Sequence, residues 1–425
     1  MARVETIAFT PHAAEILGDR VTWRPLRTGL LSGLPQICWE NGEPWREVNL
    51  WLFGRSHRND ISTLRSAASS LHAYAQWLEQ SDPKTNWWDF PANEAERCLW
   101  RYRGALIFAR DAGKLASSTA SARMRAVVQF YRWLDDKRLL SPRWPMWVDK
   151  VTNRRVLDAH GFARSIAVAS TDLTIVNRSR IGGERLEGGL MPVSDDVQTA
   201  ISKLAKKHTS IEFFLMLSLG FATGMRIGSI VDLKESTFAN AVQSNIPEAW
   251  EVSIGPNANP PVHTKFRRNG SVVIPNALFE DIREYITSPR RLKRYATAAP
   301  QFKQILFLTR FGHRYASIGS DASSAMNVEM SRFRKIARKS GLNLNNFKFH
   351  QTRATFATNL AKIAIHTEGV NPIELVAECL FHKDEATAMR YVTFVKKLPT
   401  KAILGNNFTK AFFGLSSKHE EKGDA

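Results

Sequence analysis

Apolar residues recur at helical spacing in two segments before residue 150. Intervals of three or four residues place such side chains on one face of a helix, where they can form a core. The pattern therefore predicts a small all-α domain at about residues 46–148, preceded by an N-terminal extension over residues 1–45. The first series is Leu64, Ala67, Leu71, Tyr74, Ala75 and Leu78, and the second is Met124, Val127, Tyr131 and Leu134.

The pattern changes twice after residue 148. Over about residues 149–190 the periodicity fades into NRR, NRSR and IGGERLEGG, which predicts a basic linker. Beyond it, the apolar run IEFFLMLSLGFATG is typical of a buried helix and SVVIP of a short strand. We therefore expect a mixed α/β, mainly α domain at residues 191–415. It should end in a C-terminal helix, followed by a polar tail at residues 416–425.

Charge and cysteine content narrow the functional class. The chain has 59 Lys and Arg against 40 Asp and Glu, a net charge of +19, which indicates a polyanionic partner such as nucleic acid. The three cysteines form no CxxC pair, so the sequence predicts no zinc or redox site and favours a reduced, cytoplasmic protein. No apolar run is long enough to span a membrane.

Candidate chemistry is concentrated in three blocks. ATGMRIGS places Arg226 at a helix boundary, and HQTRATFAT places His350 and Arg353 three apart, on one helical face. LFHKDEATAMRY places His382 after a helix end and Tyr391 nine residues later, on another helix. Taken singly, each block has an ordinary structural reading as a surface arginine, a chance HxxR, a helix-end histidine or a half-buried aromatic. Their order and spacing carry more information.

Taken together, the blocks resemble the phage integrase family of tyrosine recombinases. The family pattern ATGLRxSE…HxLRHTFAT…LGHxxxxTTxxY is matched over about residues 190–400. The resemblance implies that Tyr391 attacks a DNA phosphate and becomes linked to the 3′ phosphate, without a metal or another cofactor. It also implies strand exchange through a Holliday junction within a tetramer, for integration, excision or transposition of a mobile element. The implied phosphate cage consists of Arg226, Lys265, His350, Arg353 and His382.

The lysine of this cage has the weakest motif. Lys265 in HTKFRRNGSVVIP precedes a turn and a short strand, which is similar to the family's lysine-bearing hairpin. The resemblance implies that Lys265 protonates the departing 5′ oxygen. The alternative is that Lys265, Arg267 and Arg268 form a solvated turn.

Departures of the chain from the family pattern remove no catalytic group, and four of them concern the candidate site. Ser229 stands where an acidic residue is usual, which leaves open how Arg226 is oriented. Thr352, Ala354 and Phe381 replace a frequent leucine, a frequent histidine and the glycine of LGH.

Other basic residues are candidates for contacts with double-stranded DNA outside the cage, although solvated helix faces are the alternative. The extension and the linker could host accessory proteins. A type IB topoisomerase and a non-catalytic DNA-binding relative of the fold remain alternatives. A supercoil-relaxation assay run against a two-site recombination assay separates the topoisomerase from a recombinase. The candidate DNA contacts are Arg267, Arg268, Arg290, Arg291, Lys293, Arg332, Arg334 and Lys335.

Overall fold

The computed structural model describes residues 1–26, 29–157, 163–177, 186, 189–316 and 323–397. These residues fall into two compact units, divided near residue 182. The predicted C-terminal helix and the polar tail lie outside the described residues. No helix within the described ranges is both long and apolar enough to cross a membrane.

Four helices form the core of the first unit. Both predicted series are confirmed, because Leu71 and Tyr74 on α2 and Val127 and Tyr131 on α4 are fully buried. The hydroxyl groups of Tyr74 and Tyr131 lie 2.9 Å apart inside this core. The helices are α1 (Arg46–Ser56), α2 (Ile61–Gln80), α3 (Cys98–Asp111) and α4 (Ser117–Asp136).

The residues predicted as an N-terminal extension form strands that join the first unit. β1 pairs antiparallel with β4, and β2 with β3. The buried Asn49 side chain of α1 binds both the N–H and the carbonyl of Ile37, at 2.8 and 3.0 Å, and so fixes β4 to the helices. β1 and β3 are exposed along their length. They therefore lack the buried face by which the alternation of apolar and polar residues marks a half-buried strand in a sequence. The strands are β1 (Arg3–Phe9), β2 (His12–Leu17), β3 (Arg20–Pro25) and β4 (Leu31–Cys38).

Part of the predicted linker is also structured. β5 (Asp149–Leu157) and β6 (Ala163–Thr171) pair in a two-stranded sheet. Leu173 and Ile175 then return to the core of the first unit. Val151 is 73% exposed, and an exposed apolar residue weakens the alternation by which a strand is recognised in a sequence. The structure thus differs from the expected linker over residues 149–157 and 163–177.

The second unit is mainly helical and is built around α6, the predicted buried helix. Phe213, Leu215 and Leu219 of α6 are fully buried. The Ser210 side chain caps the helix by accepting from the Phe213 N–H at 3.3 Å. The helices are α5 (Asp195–His208), α6 (Ile211–Thr223), α7 (Ile227–Ile230), α8 (Glu235–Ala239), α9 (Asn276–Thr287), α10 (Pro289–Thr297), α11 (Ser324–Lys339), α12 (Gln351–Ile365), α13 (Pro372–Cys379) and α14 (385–397).

A three-stranded antiparallel sheet completes the second unit. Its order is β7 (Val242–Gln243), β8 (Ala249–Ile254) and β9 (Gly270–Pro275). The strand predicted from SVVIP is confirmed as β9. Val252 of β8 lies opposite Val272 of β9, and the segment that connects these two strands carries the candidate lysine.

Candidate active site

Three of the predicted site residues line one pocket in the second unit. Arg226 comes from the start of α7, Lys265 from the segment before β9, and His350 from the start of α12. The pocket has a volume of about 520 Å³, and Arg334 and Lys348 also line it. None of the described residues that line it is acidic. A concave site with four cations favours an anionic group.

The end of α6 determines where Arg226 lies. α6 ends at Gly224, whose φ of 65° is in the left-handed region that glycine adopts readily. A Cβ at this position would lie 2.5 Å from Cδ1 of Phe356 and 2.7 Å from Cδ2 of Leu380, so close packing also requires glycine. Arg226 follows in an extended conformation and caps α7, as the sequence predicted.

Arg353 joins three segments of the site. The residue lies in the first turn of α12 and is 1% exposed. Its Nη1 donates to the Gly224 carbonyl at 2.8 Å, and its Nη2 donates to the Leu380 carbonyl at 2.7 Å. Gly224 lies two residues before Arg226, and Leu380 lies two residues before His382. The buried guanidinium therefore fixes the backbone beside both of these side chains.

His382 and Tyr391 lie side by side. Their ring centroids are 6.2 Å apart and the rings are nearly parallel, at 11°. Tyr391 lies on α14, so the helix that the sequence predicted around it is present. The Tyr391 side chain is fully buried, in an apolar cluster with Ala357 and Leu380.

Lys265 is placed by a tight turn between β8 and β9. Residues Lys265–Arg267 form a single 3-10 turn, in which Phe266 and Arg267 have φ values of 64° and 55°. Lys265 is exposed on the pocket wall. Its Nζ lies 5.3 Å from the centroid of the Phe266 ring.

Asp232 is a site residue that the sequence analysis did not single out. Its carboxylate is buried and accepts a hydrogen bond from the His263 N–H at 2.8 Å. We call the turn at Lys265–Arg267 the lysine turn. Since His263 lies two residues before Lys265, Asp232 anchors the chain where it enters this turn. An acidic residue inside the apolar stretch SIVDLK was the available signal, because a buried carboxylate requires partners. Its cationic partners are Lys234, at 2.8 Å, and Arg314.

Ser229, which stands where the family pattern has an acid, is also buried. Its backbone N–H donates to the Arg226 carbonyl at 3.0 Å. The contact belongs to the first turn of α7 and shapes the backbone at Arg226 rather than its guanidinium.

Two other tyrosines of the second unit have raised pKa values. Burial, together with the nearby Glu212 carboxylate, raises the pKa of Tyr285 well above its usual value and raises the pKa of Tyr315 to about 12. A higher pKa reduces the fraction of phenolate at neutral pH. Tyr295 is partly exposed, but it lines a different pocket, between α8, α9 and α10.

Residues 193–397 match the model of the Phage integrase family. The chain carries a phage integrase domain. All six predicted catalytic residues fall inside the matched segment. Among curated proteins, no sequence is detectably similar to the chain.

The fold of the chain is similar to that of solved recombinases. The XerH site-specific recombinase, in a post-cleavage complex with its difH substrate, has a TM-score of 0.51 at 13% identity; the match covers 84% of this chain and 88% of XerH. The Tn1549 transposon integrase, in complex with circular intermediate DNA, has a TM-score of 0.50 at 12% identity and coverages of 81% and 94%. The family match and this shared fold support a tyrosine recombinase, an enzyme that cleaves and rejoins DNA.

The predicted DNA contacts of the second unit differ in how deeply their side chains are buried. Arg291 is 1% exposed, donates to the carbonyls of Lys303 and Ile305, and pairs with Glu235 at 2.8 Å. We expected Arg291 to contact DNA, but its side chain packs inside the protein. The reason is that helix α10 turns this position towards the protein interior.

Arg290 is half exposed and forms a bidentate pair with the buried Glu212, at 2.8 and 3.1 Å. Arg334 donates to the Phe347 carbonyl at 3.0 Å while it lines the cationic pocket. The remaining candidates are exposed: Arg267, Arg268, Lys293, Arg332 and Lys335.

Replacing Arg353 tests how the candidate active site is held together. In Arg353→Met the carbonyls of Gly224 and Leu380 lose their donor, and each buried group left unpaired costs about 1–3 kcal/mol. We expect a lower free energy of unfolding in urea, followed by far-UV circular dichroism. Arg332→Met, at an exposed position of α11, is the matched control and should change stability by less than about 0.5 kcal/mol. Equal midpoints for the two variants would contradict the joining role of Arg353.

Proposed function

We propose that this protein is a site-specific tyrosine recombinase that cleaves and rejoins double-stranded DNA through a phosphodiester bond between Tyr391 and a 3′ phosphate. The observation that carries the proposal is the convergence around Arg353. One buried guanidinium links the backbone beside Arg226 to the backbone beside His382, and His382 stacks on Tyr391.

The proposed roles follow from the charge of the substrate. A phosphodiester is an anion, and its pentavalent transition state concentrates further negative charge on the non-bridging oxygens, so fixed cations are the main requirement. Arg226 and Arg353 would hold these oxygens, since a planar guanidinium offers paired donors. His350 and His382 would add hydrogen bonds.

The reaction conserves the number of phosphodiester bonds. The hydroxyl oxygen of Tyr391 forms a bond to phosphorus as the bond from phosphorus to the 5′ oxygen breaks. The tyrosine proton passes to His350 or His382, and Lys265 donates a proton to the departing 5′ oxygen. Attack by the 5′ hydroxyl of another strand reverses these steps and releases Tyr391, so rejoining requires no ATP.

Cleavage by the proposed mechanism requires a movement within the second unit. The Tyr391 side chain is fully buried and Arg353 is 1% exposed. A phosphate bound in the pocket of Arg226, Lys265 and His350 therefore reaches Tyr391 only when the residues that cover it shift. Since Tyr391 lies on α14, we propose that DNA binding displaces this helix towards the pocket.

DNA binding is supported by the cationic pocket and by the similar folds, because XerH and the Tn1549 integrase were solved with DNA. Exposed cations on α11, among them Arg332 and Lys335, extend the basic surface beside the pocket. Contacts of this kind release counterions, so affinity should fall with salt. Strand exchange is proposed to proceed through a Holliday junction within a tetramer.

The nucleophile is tested by Tyr391→Phe, which removes only the attacking oxygen. We expect DNA binding to be unchanged in a mobility-shift assay, while no covalent adduct appears in a denaturing gel. Tyr295→Phe is the matched control in the same unit and should form adduct normally. Adduct from Tyr391→Phe at the wild-type yield would overturn the assignment.

The proton donor is tested with DNA that carries sulfur in place of the 5′ bridging oxygen. A thiolate departs without protonation, so this substrate should restore cleavage to Lys265→Ala. It should not restore cleavage to Arg226→Ala, because that variant lacks charge at the non-bridging oxygens. If single-turnover rates show that both variants respond alike to sulfur, Lys265 supplies charge only.

A further inference from the structure

The lysine turn and the segment before α14 meet in the second unit, although more than 100 residues separate them in sequence. Three contacts join them. The Phe381 ring packs on Gly270, the Arg268 Nη2 donates to the Lys383 carbonyl at 3.2 Å, and the Lys383 Nζ lies 5.6 Å from the centroid of the Phe266 ring. We call this contact the turn interface. It has Phe266, Arg268 and Gly270 on one side and Phe381 and Lys383 on the other.

Phe381 occupies an unfavourable backbone conformation. Its φ of 52° lies in the left-handed region, which costs a residue with a side chain about 1–2 kcal/mol. Glycine adopts this conformation without that cost, and the family pattern has glycine here. A strained residue persists only where its surroundings compensate for the strain. The contact of the Phe381 ring with β9 is a compensating interaction that glycine could not provide.

Gly270 and Phe381 are complementary in shape. A Cβ added to Gly270 would lie 2.1 Å from Cε1 of the Phe381 ring, much closer than carbon atoms approach each other. The φ of Gly270 is not in the left-handed region, so the backbone itself would tolerate alanine. The three atoms nearest to this added Cβ all belong to the Phe381 ring, so the ring requires glycine at this position.

The turn interface acts on Lys265 because the turn is short. Asp232 holds His263 at its entrance, and the Thr264 hydroxyl donates to the Arg268 carbonyl across it. Arg268 and Gly270, at its exit, contact the segment that contains His382. Lys265 lies between these two anchored ends.

We propose that Phe381 and Arg268 are positioning residues for Lys265. They hold the lysine turn against the chain that carries His382 and leads to Tyr391. The proton donor for the leaving group therefore keeps a fixed position relative to His382. The proposal rests on the proposed roles of Lys265 and Tyr391 and adds residues to which the family pattern assigns no role.

The test compares single-turnover cleavage of 5′-oxygen and 5′-sulfur DNA by Gly270→Ala and by Phe381→Gly. We expect each variant to cleave the oxygen substrate at least about tenfold more slowly, a part of the 10²–10⁴ that a positioned proton donor contributes. Each should cleave the sulfur substrate within about twofold of the wild-type rate, since that leaving group needs no proton. A general loss of stability would slow both substrates alike.

The double variant Gly270→Ala, Phe381→Gly separates this contact from two independent defects. Without the ring, a Cβ at residue 270 has no atom of Phe381 to displace. We therefore expect the double variant to be no slower than Phe381→Gly alone, a non-additive result that marks direct contact. Gly369→Ala, in the loop between α12 and α13, places a Cβ in open space at a φ of 74°. It controls for mild backbone strain and should cleave both substrates normally.

Lys265→Ala, measured in parallel, distinguishes the two levels of the proposal. If sulfur does not rescue Lys265→Ala, the proposed proton donor is wrong. If sulfur rescues Lys265→Ala, the other two variants decide whether the turn interface positions the lysine. It does not if Gly270→Ala and Phe381→Gly cleave oxygen DNA at the normal rate, or if they remain slow on sulfur DNA. Additive losses in the double variant would equally overturn the pairing of Gly270 with Phe381.

Discussion

The buried guanidinium of Arg353 is the interaction on which the site depends. Its bonds to the Gly224 and Leu380 carbonyls connect the end of α6, the start of α12 and the end of α13. Each carbonyl lies at a helix end, where backbone acceptors lack partners within the helix. A planar cation with several donors satisfies two such groups at once, which a lysine cannot do in the same geometry. The catalytic candidates Arg226 and His382 follow these carbonyls by two residues.

Around this centre, the second unit separates two requirements of phosphoryl transfer. The pocket of Arg226, Lys265, Arg334 and Lys348 concentrates positive charge where an anion would bind. Tyr391 stands apart from that pocket, in an apolar cluster beside His382. An arrangement of this kind would keep the proposed nucleophile covered until the helix that carries it moves, so the timing of cleavage would depend on assembly with DNA.

The sequence predicted those parts of the structure that rest on strong local patterns. The periodic series of α2 and α4, the apolar run of α6 and the spacing around Arg226, His350 and Tyr391 all led to the observed elements. The strands β1 and β3 escaped prediction because both of their faces are exposed. Arg291 was assigned to DNA because its buried partners, such as Glu235, are distant in sequence. Asp232 and the turn interface depend on the same kind of long-range contact.

The most direct test of the account is to identify the residue that becomes linked to DNA. A suicide substrate with a nick near the scissile phosphate traps the covalent complex, and protease digestion followed by mass spectrometry locates the attached nucleotide. The account predicts a single modified peptide in which Tyr391 carries the 3′ phosphate of the cleaved strand. Attachment to another residue such as Tyr295, or linkage to a 5′ phosphate, would contradict it.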